Sequence, residues 1–189
     1  MENISRSSEL ILVICLAFLF AGCTTTEPQR VQDLVADVSK QTRFKTGKTL
    51  TVLPVTGGEK KGESIWVVNT PKIENDKFQK LLVGSLYKSD MFKQVTTAPG
   101  GDYALRAEII FQDISVPAMD NTLMLLVRYE LTDIDKNVIW KEHLYTQDEM
   151  STEQIFVGNT RIERLHERGL VKGMNALINT LGKKLGNRK

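Results

Sequence analysis

Hydrophobic and polar residues follow different patterns in successive parts of the chain, and each pattern predicts a different kind of segment. Leu10 to Phe20 is an unbroken apolar run of eleven residues, followed by a mostly polar stretch from Thr24 to about Lys48. A transmembrane helix needs about 20 apolar residues, whereas the hydrophobic part of an export signal needs about 7 to 15. The first run therefore predicts a signal segment, and the polar stretch predicts a tether.

The pattern after the tether predicts short strands around one amphipathic helix. Successive segments are a β-branched run at Thr49–Val55, an apolar run at Ser64–Val68, a helix at Glu74–Ser89 and a short strand at Met91–Val95. The helix has apolar residues at helical spacing, and Asn75 or Asp76 is expected to cap its N-terminus.

Beyond Gly100-Gly101 the spacing changes to period two, which is typical of half-buried strands. Tyr103, Leu105, Ala107, Ile109 and Phe111 are predicted to share one face of the first strand. Strands at Asn121–Thr132 and Val138–Asp148 follow, joined by a turn at Asp133–Asn137. These strands predict an antiparallel meander.

The last segment, Arg161–Leu185, predicts the longest helix, because large apolar residues recur along it at helical spacing. Small residues recur on it as well, namely Gly169, Gly173, Ala176 and Thr180. They favour close packing of the helix on the sheet, the alternative being a helix–helix dimer contact. The predicted fold is α+β, with a mixed or mostly antiparallel four- to five-stranded sheet, two main helices packed on it, and a single domain over residues 49–189.

The residues that follow the apolar run change its interpretation. Phe20-Ala21-Gly22-Cys23 resembles the lipobox of bacterial lipoproteins, in which the cysteine is lipidated and becomes the first residue after cleavage. This predicts a signal peptide at residues 1–22 and a lipidated cysteine with its tether at residues 23–48. The alternatives are a secreted protein cut elsewhere and a short membrane anchor. Cys15 would leave with the signal, so the mature domain would contain no free thiol.

Neither the composition nor the sequence motifs indicate an enzyme. The formal net charge of the 189 residues is +2, which is too small to indicate a nucleic-acid partner. Metalloprotease, serine-hydrolase, Walker and dinucleotide-binding motifs are absent. We expect structural roles for His143 and His166, and a hairpin turn rather than a calcium loop at Asp133-x-Asp135-x-Asn137. The sequence thus predicts no enzyme, no cofactor and no metal site.

One strand is unusually apolar. Five large apolar residues fall within eight positions, on both faces of the strand: Met119, Leu123, Met124, Leu125 and Leu126. One interpretation is a central strand covered by helices on one face and by a loop or another subunit on the other. The alternative is a protein-binding or lipid-binding surface, for which Met119, Leu123, Met124 and Leu126 are the candidate residues.

The order of these features resembles small envelope lipoproteins with the fold of the TolB N-terminal domain. The resemblance covers roughly Thr49 to Leu185 and is carried by the lipobox, the helix from Phe78, and the segments Thr51-Val52-Leu53-Pro54-Val55, Phe92-Lys93-Gln94-Val95, Asp102-Tyr103-Ala104-Leu105 and Val138-Ile139-Trp140. The group includes the penicillin-binding-protein activator, curli-secretion and lipopolysaccharide-assembly lipoproteins and the auxiliary lipoproteins of ABC transporters. Its motifs are shared by many functions, so fold is better indicated than role.

The resemblance implies a non-enzymatic outer-membrane lipoprotein on the periplasmic side, anchored by Cys23. Thr24 agrees with this location, because inner-membrane retention typically uses an aspartate after the cysteine. The expected role is an accessory or assembly factor that binds another envelope protein. The alternative is binding or transport of a lipid or glycolipid.

Overall fold

The computed structural model describes residues 31–35, 44–58, 73–115, 120–151 and 158–187. The chain divides into Met1–Arg30 and Val31–Lys189, and all described residues belong to the second unit. Cys23, Met119 and the apolar run at Ser64–Val68 lie outside them. Besides a short helical segment at 31–35, the elements are β1 (Thr49–Val52), α1 (Asn75–Lys88), β2 (Gln94–Thr96), β3 (Tyr103–Ser115), β4 (Asp120–Asp133), β5 (Val138–Ser151) and α2 (Gly158–Gly186).

The strands form one five-stranded mixed sheet in the order β2-β1-β3-β4-β5. β1 pairs in parallel with both β2 and β3, while β3, β4 and β5 form the predicted antiparallel meander. Both α1 and α2 pack on the same face of this sheet. The α+β class and the two main helices are therefore confirmed.

The core lies between the sheet and the two helices. Alternate residues of β4 from Leu123 to Leu131 are at most 2% exposed, as their period-two spacing predicts. Eight large apolar residues form the predicted stripe of α2. Ile162 is partly buried, and the other seven are buried, namely Leu165, Leu170, Met174, Leu177, Ile178, Leu181 and Leu185. Each fully buried Leu, Ile or Met contributes roughly 1.5–3 kcal/mol, before the loss of conformational entropy.

The start of α1 differs from the prediction. Its N-cap position is Glu74, and no side chain there bonds to the helix backbone. Asn75 Oδ1 instead accepts a hydrogen bond from the backbone N–H of Gly58 at 2.8 Å. The predicted cap was wrong because Gly58 lies close to the start of α1, where its N–H donates to the side-chain oxygen of Asn75. A Cβ at Gly58 would lie only 2.3 Å from the carbonyl oxygen of Ile73.

Part of the predicted tether belongs to the folded unit. Residues 31–35 are helical, and Val35 packs so closely on α1 that a Cβ at Gly84 would lie 2.7 Å from Val35 Cγ2. Lys88 Nζ also donates to the carbonyl oxygen of Val35 at 2.9 Å. Nearer to β1, the backbone N–H of Thr46 donates to Met91. Residues 31–35 and Thr46 therefore contact α1 and the segment that follows it.

β3 contains a β-bulge that the period-two pattern does not reveal. The register with β4 shifts between Ile109 and Phe111, so that Ile109 pairs with Val127 and Phe111 with Leu126. One extra residue reverses which side chains face the helices. Phe111 was predicted to share the buried face of Ile109, but it lies on the opposite face and is 42% exposed.

The small residues of α2 serve helix-to-sheet packing, as predicted. A Cβ at Gly169 would lie 2.1 Å from Leu123 Cδ2, and one at Gly173 would lie 3.2 Å from Thr146 Oγ1. Only glycine allows α2 to approach β4 this closely at residue 169. This close approach fixes α2 over β4 and β5.

Candidate functional site

The candidate site is the open face, meaning the side of β3, β4 and β5 opposite α1 and α2. Register places Phe111, Leu126 and Tyr145 side by side across the three strands. We call these three residues the apolar row. Phe111 is 42% exposed and Tyr145 is 54% exposed, although large aromatic side chains usually favour the interior. Met124 lies in the next row, between Asp113 and Gln147.

Two charged rows border the apolar row on the other side. Glu108 pairs with Arg128 in the first, and Glu130 pairs with Lys141 at 2.8 Å in the second. The hydrogen bond from Lys141 lowers the pKa of Glu130, and the positive charges of Arg106 and Arg128 act in the same direction. Glu130 is therefore ionised at neutral pH, and its row presents fixed charges of both signs.

The four predicted surface residues do not all lie on one surface. Met124 and Leu126 lie on the open face, partly buried. Leu123 is 0% exposed, beneath Gly169 of α2, and is corrected from a candidate surface residue to a core residue. Met119 and the lipidation candidate Cys23 lie outside the described residues.

Sequence reasoning missed two of the three members of the apolar row. Tyr145 could have been found, because the alternation of β5 places it on the same side as Lys141 and His143. Phe111 could not, because its position depends on the bulge. The bulge also turns Gln112 toward the helices, where Gln112 Oε1 accepts from the backbone N–H of Ile73 at 3.0 Å. Gln112 Nε2 lies 3.3 Å from His166 Nε2, so His166 takes part in a contact between β3 and α2.

β5 forms one edge of the sheet, and α2 partly covers that edge. Lys172 Nζ donates to the carbonyl oxygen of Gln147 at 2.6 Å, and Arg168 donates to that of Glu149. Both basic side chains also pair with Asp148. Cationic side chains at an edge strand oppose uncontrolled strand pairing, and at this half of the edge α2 supplies them.

The described part of the chain contains neither a cluster of metal-ligand residues nor a helix that could span a membrane. Within it, no three His, Cys, Asp or Glu residues are grouped as metal ligands would be. None of its helices has both the length and the apolar composition needed to cross a membrane.

Comparison with solved structures identifies bacterial proteins of similar fold. No protein-family model matches the sequence, and no curated protein is similar to it at a significant level. The crystal structure of protein XCC0632 from Xanthomonas campestris, of family DUF330, has a TM-score of 0.63 at 10% identity, over 77% of this chain and 91% of that chain. The described elements thus share that protein's fold.

Two further similar structures are lipoproteins by name. A minor lipoprotein from Acinetobacter baumannii has a TM-score of 0.41 at 13% identity, over 76% of this chain and 95% of that chain. Lipoprotein GNA1162 from Neisseria meningitidis has a TM-score of 0.41 at 11% identity, over 71% of this chain and 98% of that chain. Bacterial lipoproteins are thus among the structural neighbours, while the TolB-N-terminal-like assignment stays a prediction.

Proposed function

We propose that this protein is a non-enzymatic outer-membrane lipoprotein, anchored through Cys23 on the periplasmic side, that acts as an accessory or assembly factor for another envelope protein. The lipobox at Phe20–Cys23 supports the anchor. The observation that carries the binding role is the apolar row, which exposes two aromatic side chains on the open face. Aromatic residues surrounded by polar and charged groups are typical of protein interfaces.

A lipid or glycolipid ligand is the second candidate, and the geometry favours it less. That hypothesis used both faces of the apolar strand as the wall of a groove. α2 already covers Leu123 and Leu125, so one face of β4 is occupied. The residues that remain lie beside two ion-paired rows, and fixed charges of both signs suit a protein surface better than an acyl chain.

The anchor can be tested by labelling cells with a palmitate analogue and then fractionating their membranes. The wild-type protein should be labelled and should sediment with the outer membrane, whereas Cys23→Ser should be unlabelled. Unchanged labelling of Cys23→Ser would rule out this anchor.

The binding role can be tested with a photo-reactive amino acid at residue 145 in the full-length protein. An envelope protein should be cross-linked, and the yield should fall when Phe111→Asp is added. Ile134→Asp is the matched control, because Ile134 is 75% exposed but lies in the turn after β4. An equal loss of cross-linking yield with Phe111→Asp and Ile134→Asp would contradict the proposal, and so would the absence of any cross-linked protein. Native mass spectrometry of the extracted protein would show a retained lipid if the second candidate is correct.

A further inference from the structure

Two polar side chains on the helix side of the sheet are buried without hydrogen-bond partners among the described residues. Arg161 is 7% exposed, and its Nε and Nη1 atoms have no acceptor. Asn121 is 0% exposed, and neither its Oδ1 nor its Nδ2 is paired. An unpaired buried charge is far more costly than an unpaired buried amide. Buried polar groups normally have a hydrogen-bond partner. The unpaired atoms of Arg161 and Asn121 therefore indicate that a bound partner is missing.

Both residues lie at the end of the molecule where β4 and α2 begin. Asn121 is opposite Met150, which packs in a small apolar cluster with Ile114, Leu123 and Leu165. Leu165 lies one helical turn after Arg161 and therefore on the same side of α2. The small cluster thus has one unpaired polar residue in the sheet and another in the helix.

The electrostatic environment favours a negative charge. The first turn of α2 contains no acidic residue, so nothing there offsets the positive end of the helix dipole. Arg161 adds a positive charge at the same place. Asp148, which lies on this face of β5, already pairs with Arg168 and Lys172.

We propose that Arg161 and Asn121 bind a phosphate group. Nε and Nη1 of an arginine carry three N–H donors between them, and a guanidinium is well suited to phosphate oxygens. Asn121 adds one donor group and one acceptor, and a hydrogen phosphate ion has both acceptor oxygens and an O–H donor. The group could come from free phosphate, or from a phospholipid headgroup, whose phosphodiester offers acceptor oxygens to Arg161 and to the Asn121 amide N–H but no O–H donor. This site is on the opposite side of the sheet from the open face, so it is independent of the proposed partner binding.

Thermal unfolding of the full chain in a maltoside detergent tests the proposal. Sodium phosphate is compared with sodium chloride at equal ionic strength. At phosphate about 100-fold above its Kd, the Tm of the wild type should rise by about 5–10 °C. Arg164→Gln is the matched control, because the Arg164 side chain is 67% exposed on the same helix, and it should retain this rise.

Arg161→Met should remove the phosphate-dependent rise in Tm. In chloride alone it should melt at or above the wild type, because it removes an unpaired buried charge. A merely structural arginine would behave differently, and Arg161→Met would then melt well below the wild type in both salts. That result, or an equal phosphate effect in Arg161→Met and the wild type, would overturn the proposal.

Two further arms identify the source of the anion. Micelles containing phosphatidylglycerol are compared with micelles containing a galactolipid, which has no phosphate. An Arg161-dependent rise with phosphatidylglycerol but not with inorganic phosphate supports a lipid headgroup, and the reverse supports free phosphate. No Arg161-dependent rise with either overturns the site.

Discussion

The packing of α2 on the sheet leads to a quantitative prediction about two glycines in one helix. Gly169→Ala and Gly173→Ala each bring the same gain in helix propensity, about 0.8–1 kcal/mol. They differ in what the new methyl group meets. At residue 169 it would lie 2.1 Å from Leu123 Cδ2, whereas at residue 173 it would lie 3.2 Å from Thr146 Oγ1.

The size of the difference follows from the burial of Leu123. Leu123 is 0% exposed and packs with Ile114, Met150 and Leu165, so its methyl group can move only by displacing other buried side chains. Overpacking of this kind typically costs 1–3 kcal/mol, roughly the amount by which the two variants should differ. For a chain of this size, the difference corresponds to about 2–12 °C in Tm. Gly173→Ala should melt close to or above the wild type, and Gly169→Ala should melt below it.

Circular dichroism melts of the full-length variants, followed at several protein concentrations, measure this difference. Leu123→Val removes the δ-methyl groups, so Gly169→Ala should cost less in its background than in the wild type. Equal Tm values for the two glycine variants would refute close helix-to-sheet packing at residue 169. A difference that shrinks as the protein is diluted would indicate instead that the small residues serve a dimer contact.

Three further predictions follow from the described contacts. Leu125→Ala should lower the free energy of unfolding by about 2–5 kcal/mol, and Leu126→Ala should lower it clearly less, because only Leu125 lies in the core; urea unfolding measures both. Burial raises the pKa of Tyr129, so the unfolded chain loses this proton first and stability should fall above about pH 10 by up to ~1.4 kcal/mol per pH unit. In Tyr129→Phe the free energy of unfolding should fall less steeply with pH. Identical slopes for the wild type and Tyr129→Phe between about pH 9 and 11 would contradict this prediction. Asn75→Ala should cost about 1 kcal/mol in thermal melts, because the N–H of Gly58 loses its acceptor, while Asn75→Asp should retain most of the stability.

Long periodic segments were predictable because many residues in each follow the same spacing of apolar and polar positions. The alternation of β4 identified its buried face from Leu123 to Leu131, and the apolar stripe of α2 identified nearly every residue that packs on the sheet. In both elements the burial of a whole apolar face contributes more to stability than any single residue does. The hydrophobic pattern therefore matches the face that is buried in the fold.

Features that depend on a single contact were not predictable. The cap of α1 was misassigned because Asn75 bonds to a loop residue 17 positions away in the sequence. The unpaired guanidinium of Arg161 was also missed, because an arginine on an amphipathic helix is normally exposed. Neither position carries a local signal, since each depends on which distant residue lies opposite.

The bulge in β3 accounts for more of the candidate site than any other local feature. Without the extra residue, Phe111 would face the helices together with Ile109, and Gln112 would face away from them. With it, Phe111 joins Leu126 and Tyr145 on the open face, and Gln112 bonds to Ile73 near the start of α1 and lies beside His166 on α2. A single backbone irregularity therefore produces both the exposed aromatic surface and the polar link that ties β3 to the two helices. Because the two effects share one cause, a change that restores regular pairing in β3 should weaken the proposed partner binding and the helix packing together.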